Sequence, residues 1–127
     1  MKALLIKKRW IDKILRGTKK WELRGSRTQT RGQIALVESK TGTVVGVCHV
    51  VGVEGPLSLA KLQRTTSKHG VPPPSLRRLP YKRTYAWVLR KASRLPVAVP
   101  YRHPPGAVIW VRLRPKVTQK ILQMTSR

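Results

Sequence analysis

Apolar positions along the chain change period several times, and each change marks a predicted element. Ala3-Leu4-Leu5-Ile6 is an unbroken apolar run between basic residues and predicts a short buried strand. Trp10, Ile11, Ile14 and Leu15 recur at helical spacing, which predicts a short amphipathic helix with Gly17 as its left-handed stop. Trp21-Glu22-Leu23-Arg24 alternates with period two, a strand pattern that sets Glu22 and Arg24 on one face and Trp21 and Leu23 on the other. Ser26 to Gly32 is polar and basic and reads as a loop. Gln33 to Ser39 and the β-branched run Val44 to Val53 flank a turn at Lys40-Thr41-Gly42-Thr43, predicting a hairpin.

Gly55-Pro56 ends the sheet signal, and Ser58 is placed to cap a short helix through Leu62. A long connection follows, with Pro72-Pro73-Pro74 and a further helical turn near Leu76. Tyr85 to Arg90 reads as a strand, Leu95 to Val99 as an extended piece with proline at both ends, and Tyr101 to Gly106 as a loop into a last strand, Ala107 to Leu113. Five to six strands with two or three short helices predict a mainly β domain, a closed or half-closed barrel with helices at its ends. From Arg114 the pattern weakens. Residues 114–127 read as a basic C-terminal extension, helix or loose tail, with Val117, Ile121 and Leu122 its only candidates for a packed face.

Charge narrows the picture. In 127 residues, 28 Lys and Arg stand against 4 acids, a formal net charge of +24. A compact body carries that charge against self-repulsion unless a polyanion offsets it, so the expected partner is RNA or another single-stranded nucleic acid. An acidic protein partner is the weaker alternative. No apolar stretch approaches about 18 residues and no leader pattern precedes the fold, so the expected location is cytoplasmic, with no membrane association. Cys48 is the sole cysteine and lies in an apolar run, which excludes an internal disulfide and suits a small buried side chain. His49, His69 and His103 lack metal-ligand spacing and no Cys-x-x-Cys occurs, so neither metal nor cofactor is expected.

The segment Gly17-Thr18-Lys19-Lys20-Trp21-Glu22-Leu23-Arg24 follows the pattern G-x-K-x-x-E-x-R. With Arg31-Gly32, Gly46-Val47, Tyr85-Ala86-Trp87-Val88-Leu89 and Gly106 to Val111 in order behind it, the chain resembles the ASCH family, whose fold is similar to the PUA domain. The resemblance covers about residues 3–113 and assigns 1–113 to one ASCH domain. It implies a barrel with a cleft beside the signature, associated with RNA or modified nucleosides. Some members resemble amidohydrolases acting on N4-acetylcytidine, and others cut single-stranded RNA. On that pattern Lys19 is the nucleophile or base, with Arg24 nearby. Glu22 stands where that enzyme type has threonine. Lys68-His69 matches a family pair, but Gly70-Val71-Pro72-Pro73-Pro74-Ser75 supplies none of the acid that should follow.

Four carboxylates, Asp12, Glu22, Glu38 and Glu54, exhaust the candidates for acid–base work. Glu22 lies between two cations and either orients a lysine, accepts the amino group of a cytosine-like base, or forms a structural pair with Arg24. Lys19 is either catalytic, which needs a lowered pKa, or a point contact to phosphate or carbonyl. His69 is the candidate assisting group. Trp10 and Trp21 flank the signature and are candidates to stack a base. Trp87 starts as a core residue and completes the aromatic part of the binding set. Arg24, Lys20, Arg27 and Arg31 are its candidate cations. The first functional expectation is a nucleic-acid-binding domain; the alternative is a hydrolase using Lys19.

Overall fold

The computed structural model describes residues 1–126. Six strands form one mixed sheet: β1 (Lys2–Ile6), β2 (Trp21–Arg24), β3 (Gly32–Glu38), β4 (Thr43–Glu54), β5 (Tyr85–Pro100) and β6 (Trp110–Arg112), in the order β2-β5-β4-β3-β1-β6. Only β1 and β3 run parallel; every other pairing is antiparallel. The β3–β4 hairpin closes over Lys40 to Gly42, with Glu38 opposite Thr43.

The sheet curls. Register shifts at Val44/Gly46, Val47/His49 and Val50/Gly52 bend β4 against β5, as bulges do by adding local twist. Trp110 on the edge strand β6 consequently stacks on Trp87 of β5, ring centroids 5.7 Å apart and planes within 11°, although three strands separate them in the sheet order. The result is a half-barrel whose β2 and β6 edges face each other across an opening.

Alternation along the strands explains why both faces are covered. Ala3, Ala35, Val37, Val47 and Val111 pack on one face beneath α5 (Pro115–Thr125), while Leu4, Ile34, Leu36 and Cys48 pack on the other with Ile11 and Ile14 of α1 (Lys8–Leu15). Three short helices, α2 (Leu59–Arg64), α3 (Thr66–His69) and α4 (Pro73–Leu76), cover Trp21 and Leu23 of β2. The Ser58 hydroxyl caps α2 by accepting from the Lys61 N–H at 3.1 Å.

Three elements differ from the sequence expectation. The extended piece at Leu95–Val99 is continuous with the Tyr85 strand, because a left-handed residue at Lys91 (φ 53°) and the shifts against β4 let one strand bend without ending. The last strand is shorter, since Ala107 to Ile109 meets β1 only through the Leu5 N–H to Ile109 carbonyl bond. The long connection holds α3, which has too few residues to show a period. After Arg114 the chain forms α5, anchored by fully buried Ile121 with Val117 packed beside it, while Leu122 is 43 % exposed.

Candidate nucleic-acid site

The direction of Lys19 is set one turn earlier. Gly17 takes φ +82° at the end of α1, a conformation that suits glycine, and the N–H groups of Thr18 and Lys19 both return to the Lys13 carbonyl at 3.0 and 3.2 Å. That fold-back turns the Lys19 side chain inward, where 2 % of the residue remains exposed. Its Nζ donates to the His69 carbonyl at 2.6 Å, lies 3.6 Å from Glu22 Oε1 and stands 4.9 Å from the Trp10 ring centre.

Glu22 and Arg24 share the face of β2 opposite Trp21 and Leu23, as the alternation predicts. Glu22 Oε2 accepts from Arg24 Nε at 3.0 Å and pairs with its second terminal nitrogen at 2.9 Å, which also donates to the Leu5 carbonyl at 3.0 Å. Arg24 thereby spans the opening of the barrel from β2 to β1. The carboxylate sits between two cations, one to each oxygen. Burial pulls the Lys19 ammonium below its usual pKa, and the neighbouring Glu22 works against that shift.

These groups line a cavity of about 320 Å³, the size of a small-molecule site. Trp10 forms part of its wall, half-buried and ringed by Arg9, Lys13 and Lys19 at 4.5, 5.3 and 4.9 Å from the ring centre. Tyr81, Leu79 and Pro80 from the loop after α4 form another part, with Leu5, Ser39 and Val108 at the rim of the sheet. Lys19, Glu22, Arg24 and Trp10 are therefore brought together.

The other candidates lie outside the cavity wall. His69 is fully buried with its ring turned away from the cavity: Nε2 donates to the Leu62 carbonyl at 2.8 Å and Nδ1 accepts the Val71 N–H at 2.9 Å. Both ring nitrogens are spent on backbone, so the imidazole of the Lys-His pair is a loop-holding group, and what it offers the site is its main-chain carbonyl. Burial lowers its pKa and keeps this tautomer neutral. Trp21 lies in the core beneath the short helices, with the Lys68 ammonium 4.9 Å from its ring centre, because its face of β2 is the helix-covered one. Trp87 is core as well, opposite Glu22 in the sheet, donating Nε1–H to the Ser26 carbonyl at 2.8 Å, and it meets the site only from below, with the Arg24 guanidinium 5.6 Å from its ring centre. Lys20 pairs through its backbone with Lys68 and Leu89, and its side chain is outside the cavity wall. Arg27 binds the Gly55 carbonyl over Tyr85, and Arg31 folds onto the carbonyls of Thr28 and Thr30.

Tyr81 was missed by sequence reasoning. It is a lone aromatic in a stretch without periodicity, and that isolation in a basic loop was the only available signal. Asp12, by contrast, is a surface group held by Lys8 at 2.7 Å and Arg94 at 3.3 Å. Among the described residues no three His, Cys, Asp or Glu side chains gather as a metal site, and no helix is long and apolar enough to cross a membrane.

A curled sheet around a charged, aromatic-walled recess defines a small half-barrel domain. The family model for the ASCH domain matches residues 4–98, and the chain belongs to that family. Its fold is similar to the crystal structure of ASCH from Zymomonas mobilis, with a TM-score of 0.74 at 15 % identity over 97 % of this chain and 94 % of that one. It is equally similar to a serine-to-alanine variant of that protein (TM-score 0.73, 17 % identity, 96 % and 94 % covered) and to a tyrosine-to-phenylalanine variant (0.74, 16 %, 97 % and 96 %). No curated protein matches significantly in sequence.

Proposed function

We propose that this ASCH domain binds RNA or another single-stranded nucleic acid and receives one base or nucleoside in the recess beside Lys19, Glu22 and Arg24. The observation that carries this reading is the convergence of those three side chains and Trp10 on one open cavity. Each wall offers a nucleotide something different. The Trp10 ring presents a π-face, worth about 1–3 kcal/mol per stacked base. The Glu22 carboxylate retains lone pairs for an exocyclic amino group, as on cytosine. Arg9 and Lys7 at the mouth supply charge for phosphate, and the +24 body draws in the rest of the polyanion. Association of ASCH domains in general with RNA binding and hydrolysis agrees with this chemistry.

Fluorescence anisotropy with short RNA and DNA oligonucleotides, at low and moderate salt, tests the reading. Binding that weakens steeply with salt, and that is competed by a nucleoside monophosphate, supports it. Affinity no tighter than millimolar, or indifferent to salt, removes it.

A second reading, hydrolysis of an N4-acylated cytidine or of single-stranded RNA, is favoured by one observation: the desolvated Lys19, whose lowered pKa brings its amine nearer to a reactive neutral form. The 2.6 Å bond to the His69 carbonyl and the absence of an acid after His69 weigh against it. Incubation with N4-acetylcytidine and with end-labelled RNA decides; turnover unchanged by Lys19→Ala would assign the activity elsewhere.

A further inference from the structure

The recess beside Lys19 does not end at its own rim. Leu5, Ser39 and Val108 line it and also line an adjoining hollow of about 600 Å³, whose far side is formed by Tyr101, His103 and Ala107. Tyr101 and His103 in turn belong to a third hollow of about 300 Å³, walled by Arg102, Arg112 and Arg114. Through these shared residues the three hollows follow one another along the β1–β6 side of the half-barrel, and together they are termed the trough.

Its floor is fixed rather than loose. The His103 Nε2–H donates to the Ala107 carbonyl at 2.8 Å, so Nδ1 accepts the Tyr101 hydroxyl at 2.8 Å, and the Tyr101 N–H is tied to the Gly42 carbonyl at 3.1 Å. The middle of the trough is largely apolar, with Val108 77 % exposed beside Tyr101 and Ala107, and Lys40 is its one cation. The far end is cationic. Arg102 comes from the loop, Arg112 from β6 and Arg114 from the start of α5, and all three are exposed. Among the described residues every ion pair is made by Asp12 or Glu22, so no carboxylate neutralises this arginine group.

We propose that the trough is the path of a single strand of nucleic acid, with one base in the Lys19 recess, sugars and bases across the Tyr101–Val108 floor, and flanking phosphates on Arg102, Arg112 and Arg114. The inference rests on the binding role argued above and adds a direction and a second subsite to it. An apolar stretch between two cationic ends matches a polymer whose charged backbone alternates with flat, weakly polar bases. Guanidinium groups pair with carboxylate as well as with phosphate, but an acidic peptide lacks the flat groups that the apolar floor would take.

The test compares the native protein with a trough variant, Arg102→Gln with Arg112→Gln and Arg114→Gln, and with a charge-matched control, Arg64→Gln with Arg77→Gln and Lys120→Gln, whose exposed side chains line none of the three hollows. Probes are cytidine monophosphate and oligoribonucleotides of up to about eight nucleotides, within the site sizes of such grooves. The trough variant should lose about tenfold or more in oligonucleotide affinity, and its salt slope should be shallower by about 0.7 for each phosphate no longer neutralised. The control should lose much less, and cytidine monophosphate affinity should not move. Val108→Glu, a carboxylate placed in the path at an exposed position, should weaken oligonucleotide binding with an unchanged circular dichroism spectrum. Equal losses in trough variant and control would overturn the path, as would displacement of RNA by polyglutamate as readily as by unlabelled RNA. Failure of the native protein to bind any oligonucleotide would instead remove the binding role beneath it.

Discussion

Lys19 Nζ donates a 2.6 Å hydrogen bond to the main-chain carbonyl of His69, joining the turn after α1 to the last residue of α3. Two segments fifty residues apart are thereby held at one corner of the recess. Lys19→Met keeps the aliphatic stem but leaves that buried carbonyl unpaired and Glu22 with one cation. A loss of about 1–3 kcal/mol is expected, from the desolvation of an unsatisfied acceptor. Urea denaturation measures it, and an unchanged midpoint would show the contact to be energetically idle.

Glu22 is more exposed to loss than its partners, because it is the sole carboxylate serving both. Glu22→Gln should destabilise by about 3–5 kcal/mol, since two largely buried cations then face each other without an anion. The same substitution tests its role as an acceptor: if Glu22 takes the amino group of cytosine, a preference for cytidine over uridine monophosphate should shrink by about 1–3 kcal/mol. Calorimetric titration of both nucleotides reads that difference.

The signature face was legible in the chain because strand alternation is a local rule: it separates Glu22 and Arg24 from Trp21 and Leu23, and the sheet obeys it. Alternation also carries a consequence for Trp21 that composition hides, since the face shared with Leu23 is the one α2 to α4 cover. The core reading of Trp87 holds, but what its ring meets could not be read from its own segment. Its burial depends on the curl that brings Trp110 across from β6, and curl arises from register shifts between β4 and β5, a non-local property. His69 shows the opposite limit. A Lys-His pair reads as chemistry in one dimension, yet the ring bonds to Leu62 and Val71 are set by a loop with no period to read. Tyr81 reaches the recess for a related reason, through a loop docked from outside the sheet.

His69 should make stability acid-sensitive. Burial lowers its pKa from the ordinary 6.5, so in the window below 6.5 the unfolded chain takes up a proton that the folded chain refuses. Its contribution is fully present above 6.5 and is lost as pH falls through the lowered folded value. Urea midpoints from pH 7.5 down to 5 should therefore decline in the native protein. In His69→Asn the protein should be weaker throughout but decline less steeply, and parallel slopes would exclude His69 as the source.

Cys48 should be inert while the fold persists. It is fully buried among Leu36, Val50 and Leu89, and burial pushes its thiol up to about 12. Thiolate is the reacting form, so iodoacetamide at pH 8 should leave the native protein unmodified and alkylate it promptly in urea. Equal rates in both states would mean that the barrel interior opens freely.

Gly25 and Tyr81 should prove coupled. A Cβ built at Gly25 would stand 2.8 Å from Tyr81 Cδ1 and 3.3 Å from Cγ, so the missing side chain is what admits the ring that walls the recess. Gly25→Ala must displace that ring, because the clash falls on its inner atoms and a small terminal rotation cannot relieve it. The expected costs are about 1–3 kcal/mol of stability and several-fold weaker nucleotide binding. Tyr81→Ala removes the obstacle, so adding Gly25→Ala to it should cost little more, giving a coupling energy of at least about 0.5 kcal/mol in a double-mutant cycle. Strict additivity would place the effect of Gly25 in its own backbone, and the aromatic wall would then owe nothing to the glycine.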